Sequence, residues 1–267
     1  MLQTVKNLLK QSAVAQRVYR RYVRPHMLQD EPETYILRDL KFDQCIDVGA
    51  NVGSYSILLS RNCNRVYAFE PTPGSFQALQ ILNIKNVISY NLALGSESGE
   101  TEIVLPKVSG RVDYALATLR PLGTGEFGDV EKHKVKVARF DDFSANIDFN
   151  RIDFVKIDVE GFELQVLRGM NRLLEQKKPD LMIEIEKRHN PGYRDVFDYL
   201  AAMGYASFFT PDGRGLRRFD VAELPQLQTA ERLAMDEARR FRPGERKNYI
   251  NNIFFLQPAR TANYPML

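Results

Sequence analysis

Two short stretches hold most of the residues whose types and spacing suit chemistry. The first, Asp47-Val48-Gly49-Ala50-Asn51-Val52-Gly53, follows the apolar Cys45-Ile46 and leads into Tyr55-Ser56-Ile57-Leu58-Leu59, where the apolar spacing becomes helical. Strand, glycine turn, helix is the predicted order. Such a turn leaves backbone N–H groups free at a helix start, and Gly49 and Gly53 are expected to let a ligand approach where a Cβ would obstruct it. The second, Ile152-Asp153-Phe154-Val155-Lys156-Ile157-Asp158-Val159-Glu160-Gly161-Phe162-Glu163, predicts a buried strand turning at Gly161 into a helix marked by Leu164, Val166, Leu167 and Met170. Lys156, Asp158 and Glu160 share one face of an extended strand. With Glu163 they make four ionisable groups in an otherwise apolar element, more than a purely structural strand needs.

The spacing in the first stretch narrows the ligand. A G-x-G-x-x-G fingerprint begun at Gly49 needs glycines where Asn51 and Ser54 stand, so a dinucleotide loses two of its three glycines. What stands there is G-x-x-x-G with Asp47 two residues before it. A carboxylate at a strand end repels a pyrophosphate but suits the ammonium or sulfonium end of S-adenosylmethionine; the competing reading is a helix N-cap acid. One strand later, Arg65-Val66-Tyr67-Ala68-Phe69-Glu70-Pro71 ends in a second carboxylate. Glu70 is expected to accept from both ribose hydroxyls, a role that dehydrogenases also use, so Glu70 points to adenosine only. After the next strand, Asn91 and Ala93 are expected on the adenine side, the amide offering donor and acceptor and the alanine close approach; otherwise Asn91 is a turn residue.

The 267 residues suit one α/β domain with extensions, and 44% hydrophobic with 27% charged residues is ordinary for a globular chain. No run nears the roughly 18 apolar residues of a membrane span, and no secretory h-region is read at the N-terminus. Cys45 and Cys63, without C-x-x-C, and three histidines suggest neither a disulfide framework nor a zinc site, which makes a reducing cytoplasm the default. The net charge of +3 is uneven: residues 1–29 hold Lys6, Lys10, Arg17, Arg20, Arg21 and Arg24 and no acid, so the 37 basic residues less these six leave 31 against 34 acidic ones. A slightly acidic body argues against a nucleic-acid acceptor, as does the lack of an Asn/Asp-Pro-Pro-Tyr segment.

Leu2, Val5, Leu8, Leu9, Val18, Tyr19, Tyr22 and Val23 fall at helical spacing among those basic residues. Residues 1–24 read as a basic amphipathic helix, suited to peripheral contact with the inner face of an anionic membrane, or else to packing across the domain or against a second copy as a homo-oligomer. The domain division is then 1–43 for this helix and an approach segment (Pro32 to Asp43), 44–258 for the main domain with an insertion at about 99–140, and 259–267 for a tail. Strands are expected at 45–49, 65–70, 87–91, 152–158, 180–186, 205–210 and 251–256, with helices from Ser54, at Pro73–Leu82, after Gly161, at Tyr193–Met203 and at Ala222–Arg240. Within the insertion, Thr101–Leu105 and His133–Val137 alternate like strands. Ser109–Val130 is glycine-rich, so it reads as a loop covering the site or as disorder. Asp141 or Asp142 is expected to cap the short helix after it.

With these pieces in place the chain resembles the FkbM family of S-adenosylmethionine-dependent methyltransferases. The resemblance rests on Asp47 to Gly53, Phe69-Glu70-Pro71, Asn91-x-Ala93-Leu94, and Val155 to Glu163 with Val166-Leu167 and Gly169, over roughly residues 44–200. It implies an α/β fold, a Rossmann-like doubly wound seven-stranded sheet of class I methyltransferase type, mostly parallel with an antiparallel last strand. It also implies methyl transfer to oxygen, often on sugars or natural products.

Methyl transfer from a sulfonium is an in-line displacement that depends on holding acceptor and methyl group at attack distance. A hydroxyl acceptor also needs a base. The candidates are Asp158, Glu160 and His189, then Glu184 and Glu186. Asp158 also falls where cofactor and acceptor meet. Asp158, Glu160 and Glu184 are oxygen ligands of the kind Mg²⁺ takes, without fixing a metal site. The competing readings are a salt bridge of Glu160 or Glu163 with Lys156 or Arg168, and a surface-loop role for His189. Against an O-methyltransferase acting on a carbohydrate, glycan or natural product stand a methyltransferase for nucleic acid or protein and a non-catalytic S-adenosylmethionine-binding protein.

Overall fold

The computed structural model describes residues 28, 31–108, 111–112, 117–119, 129–237 and 245–267. The basic helix expected over residues 1–24 lies outside them. Among the described residues no helix is long and apolar enough to cross a membrane.

The chain enters through α1 (Glu33–Asp39), then alternates strand and helix: β1 (Phe42–Val48), α2 (Ser54–Ser60), β2 (Cys63–Phe69), α3 (Pro73–Ile81) and β3 (Val87–Tyr90). A smaller sheet interrupts: β4 (Ala93–Leu94), β5 (Gly99–Val108), β6 (Arg111–Val112) and β7 (Val130–Ala138). The main sheet resumes with β8 (Ile152–Ile157), α4 (Glu163–Gly169), α5 (Asn171–Gln176), β9 (Asp180–Glu184), α6 (Tyr193–Ala202), β10 (Ala206–Phe209) and β11 (Arg217–Arg218). Two helices, α7 (Leu224–Leu227) and α8 (Ala230–Glu237), precede β12 (Asn252–Leu256).

The main sheet runs β11-β10-β12-β9-β8-β1-β2-β3. It is parallel from β3 to β9, and β12 runs antiparallel to both β9 and β10. The sheet is therefore doubly wound and mostly parallel with an antiparallel last strand, as expected. Among the described residues it has eight strands rather than seven, because Arg217–Arg218 adds a short antiparallel edge to β10. Covered on both faces, the central strands are apolar almost throughout. Alternate side chains feed two cores: Ile46, Val155 and Ile183 pack into one, Cys45, Phe154, Met182 and Phe254 into the other. At the carboxyl ends of the strands, the second face turns polar. Asp47 lies opposite Lys156 across β1 and β8, and Glu184 opposite Asn252 across β9 and β12.

Several expectations are corrected. Cys45 and Cys63 form a disulfide, their Cα atoms 6.4 Å apart. Pairing of β1 with β2 creates that proximity, which linear spacing does not reveal, and the cysteine count no longer argues for a reducing compartment. The approach segment contains α1. The helix expected at Ala222–Arg240 is broken into α7 and α8 around Gln228, whose amide donates to the Ile185 and Ile250 carbonyls instead of joining a helix, and 238–240 lie outside the described residues. Asp141 caps no local helix; its carboxylate accepts from the Arg172 and Leu173 N–H groups at the start of α5. The insertion is a sheet in which β5 and β7 pair antiparallel from Gly99–Val137 to Pro106–Val130, longer than expected. Of the supposed loop, Arg111–Val112 continues this sheet, and Thr118 is bridged to Val104. The rest of Ser109–Val130 lies outside the described residues, apart from Ala117, Leu119, Asp129 and Val130.

Candidate active site

The cleft opens at the carboxyl ends of β1, β2 and β8, the place where ligands collect in open α/β sheets. Gly49, at the end of β1, has φ +75°, and a Cβ there would stand 1.8 Å from the Asp158 carbonyl oxygen. At Gly53 (φ +89°) a Cβ would meet Leu79 Cδ1 at 2.6 Å. A Cβ at either position would therefore meet neighbouring protein, and Gly49 also lines the cleft. Asn51, also left-handed at φ +47°, directs its backbone N–H at Glu70 Oε2, 2.8 Å away.

Glu70 ends β2 on the opposite wall, and burial raises its pKa. Its Oε1 accepts from both the N–H (2.8 Å) and the hydroxyl of Thr72. Of roughly four lone-pair positions on a carboxylate, one is left. Accepting both ribose hydroxyls thus requires the Thr72 hydroxyl to yield. Asn91 donates to the Glu70 and Pro71 carbonyls, each at 2.9 Å. It braces the turn from outside while Leu92 and Ala93 face the cleft.

Asp47 lies beneath the cleft wall, fully buried. Its Oδ2 accepts from Ser56 Oγ at 2.6 Å, and its Oδ1 stands 3.9 Å from Lys156 Nζ. Gly53, not Asp47, holds the N-cap position of α2. Lys156 places its ammonium 2.9 Å from Asp158 Oδ2 and 4.6 Å from the centre of the Tyr55 ring. Burial works to lower its pKa, but the fields of Asp158 and Asp47 together raise it.

The second turn follows β8. The Asp158 N–H donates to the Val48 carbonyl at 3.0 Å, tying this turn to the first. Glu160 (φ +51°) and Gly161 (φ +95°) are both left-handed and swing the chain into α4. Glu160 meets His189 rather than Lys156 or Arg168: its Oε2 contacts the imidazole Nδ1, and Glu186 Oε2 lies 3.7 Å from the same nitrogen. Burial raises the Glu160 pKa, with His189 opposing and Asp158 adding to the shift. Glu184 is pushed well up by burial and then by Asp158 and Glu160. Asp158, Glu160 and Glu184 can each place a carboxylate oxygen within 4.8 Å of the others.

The cleft has a volume of about 580 Å³, counting space open to solvent. Of the residues singled out in the sequence, Gly49, Asn51, Glu70, Ala93, Asp158 and Glu160 line it. Gly53, Asp47 and Asn91 support it from behind, and His189 and Glu184 stand beside Glu160 and Asp158. Ile103 of β5 and Leu119 close one side. Thr118 donates its hydroxyl to the Glu160 carbonyl at 2.6 Å. Thr118 carried no signal in the sequence, because its partner, the Glu160 carbonyl, belongs to a distant turn that only tertiary packing brings near.

A doubly wound sheet with an acidic first turn, a carboxylate ending β2 and an acidic turn after β8 defines a class I S-adenosylmethionine-dependent methyltransferase. The family model for the methyltransferase FkbM domain matches residues 47–207, and the chain belongs to that family. It is 26% identical over 198 residues to hexuronic acid methyltransferase AglP of Haloferax volcanii, covering 67% of this chain and 77% of that one. Methyltransferase 1 of Beauveria bassiana is 25% identical over 166 residues, or 51% and 67% of the two chains. The solved FkbM methyltransferase of Methylobacillus flagellatus superposes with a TM-score of 0.47 at 18% identity, over 95% of this chain and 57% of that longer one.

Proposed function

We propose that the enzyme is an O-methyltransferase acting on a hydroxyl of a carbohydrate, glycan or natural-product acceptor. The observation that carries this reading is the Glu160–His189 contact beside Asp158 at the cleft wall. S-adenosylmethionine, when bound, supplies an electrophilic methyl group. The protein's part is to bind, orient and deprotonate. Glu70 and the Asn51 turn hold the adenosine, and the Asp47–Lys156 pair supports the wall from behind. Asp158, with Oδ2 committed to Lys156, orients the acceptor hydroxyl. Glu160, its pKa raised by burial, takes the proton, and His189 at its Oε2 stabilises the pair through the transfer. The name of the Haloferax relative, whose acceptor is a sugar acid, supports a carbohydrate.

A divalent ion fits the same corner. Asp158, Glu160 and Glu184 are hard oxygen donors, and their mutual repulsion is what a dication relieves. Mg²⁺ held there would lower the pKa of a bound hydroxyl. Residues 44–258 form the catalytic domain in this reading, and residues 1–24 attach the enzyme peripherally to the inner face of an anionic membrane. Deleting 1–24 should then abolish liposome flotation.

The test is incubation of the purified protein with methyl-labelled S-adenosylmethionine and a panel of free sugars, uronic acids and nucleotide sugars, with Mg²⁺ or with chelator. A labelled ether on a hydroxyl is expected. Label found only on protein, nucleic acid or a carboxyl group would sink the proposal.

A further inference from the structure

Glu163, the first residue of α4, is 1% exposed and does not line the cleft. Its Oε1 accepts from the Gly161 N–H at 2.7 Å and its Oε2 from Asn190 Nδ2 at 2.7 Å. Each donor sits next to one member of the contact described above, Gly161 after Glu160 and Asn190 after His189. A carboxylate can accept on both oxygens at once, whereas an amide of the same shape would set an NH₂ against one of the two donors.

Both turns need something to hold them. Glu160 keeps a left-handed backbone without being glycine, a conformation that persists only where the surroundings impose it. Burial disfavours the charged Glu160 carboxylate where it stands, Asp158 and Glu186 add to that, and His189 opposes it. The opposite turn is closed locally by the His189 and Asn190 N–H groups, which donate to the Glu186 carbonyl at 3.0 and 2.8 Å. Among the described residues, Glu163 is the side chain that bonds to both turns.

We propose that Glu163 is a positioning residue, clamping the Glu160–Gly161 turn to the His189–Asn190 turn and so holding the Glu160 carboxylate against His189 Nδ1. The inference rests on the reading of Glu160 and His189 as a working pair, and it explains why α4 opens on a buried acid. A displacement of about 1 Å at reacting groups costs on the order of a hundredfold in rate, so a clamp outside the cleft governs turnover without touching substrate.

The test needs no acceptor. In the full chain labelled with ¹⁵N-histidine, ring-nitrogen shifts report what each nitrogen bonds to. Glu160→Gln should move the His189 ring signals and leave those of His133, which pairs with Glu131. Glu163→Gln should move the His189 signals in the same direction, again without moving His133. Asn190→Ala, which cuts one arm and spares the buried carboxylate, should do likewise and serves if Glu163→Gln does not fold. Wild-type His189 signals in Glu163→Gln or Asn190→Ala, against shifted ones in Glu160→Gln, would overturn the clamp while leaving the pair intact. Unmoved signals in Glu160→Gln would overturn the pair itself, and the clamp with it.

Discussion

Asp47 and Lys156 face each other across the adjacent parallel strands β1 and β8, carboxylate to ammonium at 3.9 Å, with side chains 0% and 3% exposed. Lys156 gives its closer contact to Asp158, so Asp47 keeps the weaker share and burial pushes its carboxyl up. Breaking a buried pair by removing one partner typically costs about 3–5 kcal/mol, because the other charge is left uncompensated. Lys156→Met should therefore lower unfolding free energy by about that much in urea titration. Adding Asp47→Asn to the same chain should recover a large part. A cost below about 1 kcal/mol would mean that the pair is not charged in the fold.

Glu70 accepts from Asn51 and Thr72 and keeps one acceptor position toward the cleft. Hydrogen bonds to charged groups are worth about 1.5–3 kcal/mol. Glu70→Ala should weaken S-adenosylmethionine binding by roughly tenfold to a hundredfold in isothermal titration. Thr72→Val frees a second acceptor position on Glu70 and should leave affinity equal or higher. An unchanged Kd in Glu70→Ala removes Glu70 from the ribose site.

Asp158→Asn and Glu160→Gln should each lower turnover by about two to four powers of ten. The dissociation constant for S-adenosylmethionine should stay within a fewfold of wild type in both. Near-normal turnover in either variant takes that residue out of the reaction.

Burial pushes the Glu163 carboxyl up to about 7 from an ordinary 4.5. A pKa raised in the folded state favours folding while the group is protonated. Its stabilisation is complete below about 4.5 and lost as pH rises through about 7. The full swing is of order 3 kcal/mol. Glu33, raised to about 8 by burial, acts with the same sign, so the quantity to measure is the difference between wild type and Glu163→Gln. Between pH 5 and pH 8 wild type should lose stability relative to the variant. A pH-independent difference would show that Glu163 does not titrate in this range.

Gly49→Ala places a Cβ 1.8 Å from the Asp158 carbonyl and forces a left-handed alanine. It should cost more than about 2 kcal/mol, visible as a fall in Tm, and abolish cofactor binding. Gly99→Ala, with nothing within 4 Å of the new methyl group, is the neutral control. Equal effects from the two would contradict the close approach of the first and second turns.

Strand–turn–helix order, the acids at strand ends and the apolar central strands were legible in the sequence, because each is a local pattern of period, turn residue or burial. They set the α/β class and drew Asp47, Glu70, Asp158 and Glu160 to one end of one sheet. Side-chain direction was not legible. Asn91 looks like a cleft residue from its position after β3, yet it turns back to two carbonyls. Asp141 precedes one helix in sequence and caps another across the fold. Cys45 and Cys63 became partners only once β1 lay beside β2.

By itself, then, the sequence determined which residues end the strands and that an adenosine-bearing sulfonium suits them, since strand ends and turns depend on neighbours along the chain. Tertiary structure decided which acid meets which cation. Lys156 went to Asp158 and Asp47, Glu160 to His189, and Glu163 to the two turns beside that pair. The reason is physical: a buried charge is stabilised by whatever stands within a few ångströms of it, and that is set by strand register and crossing turns, not by position along the chain.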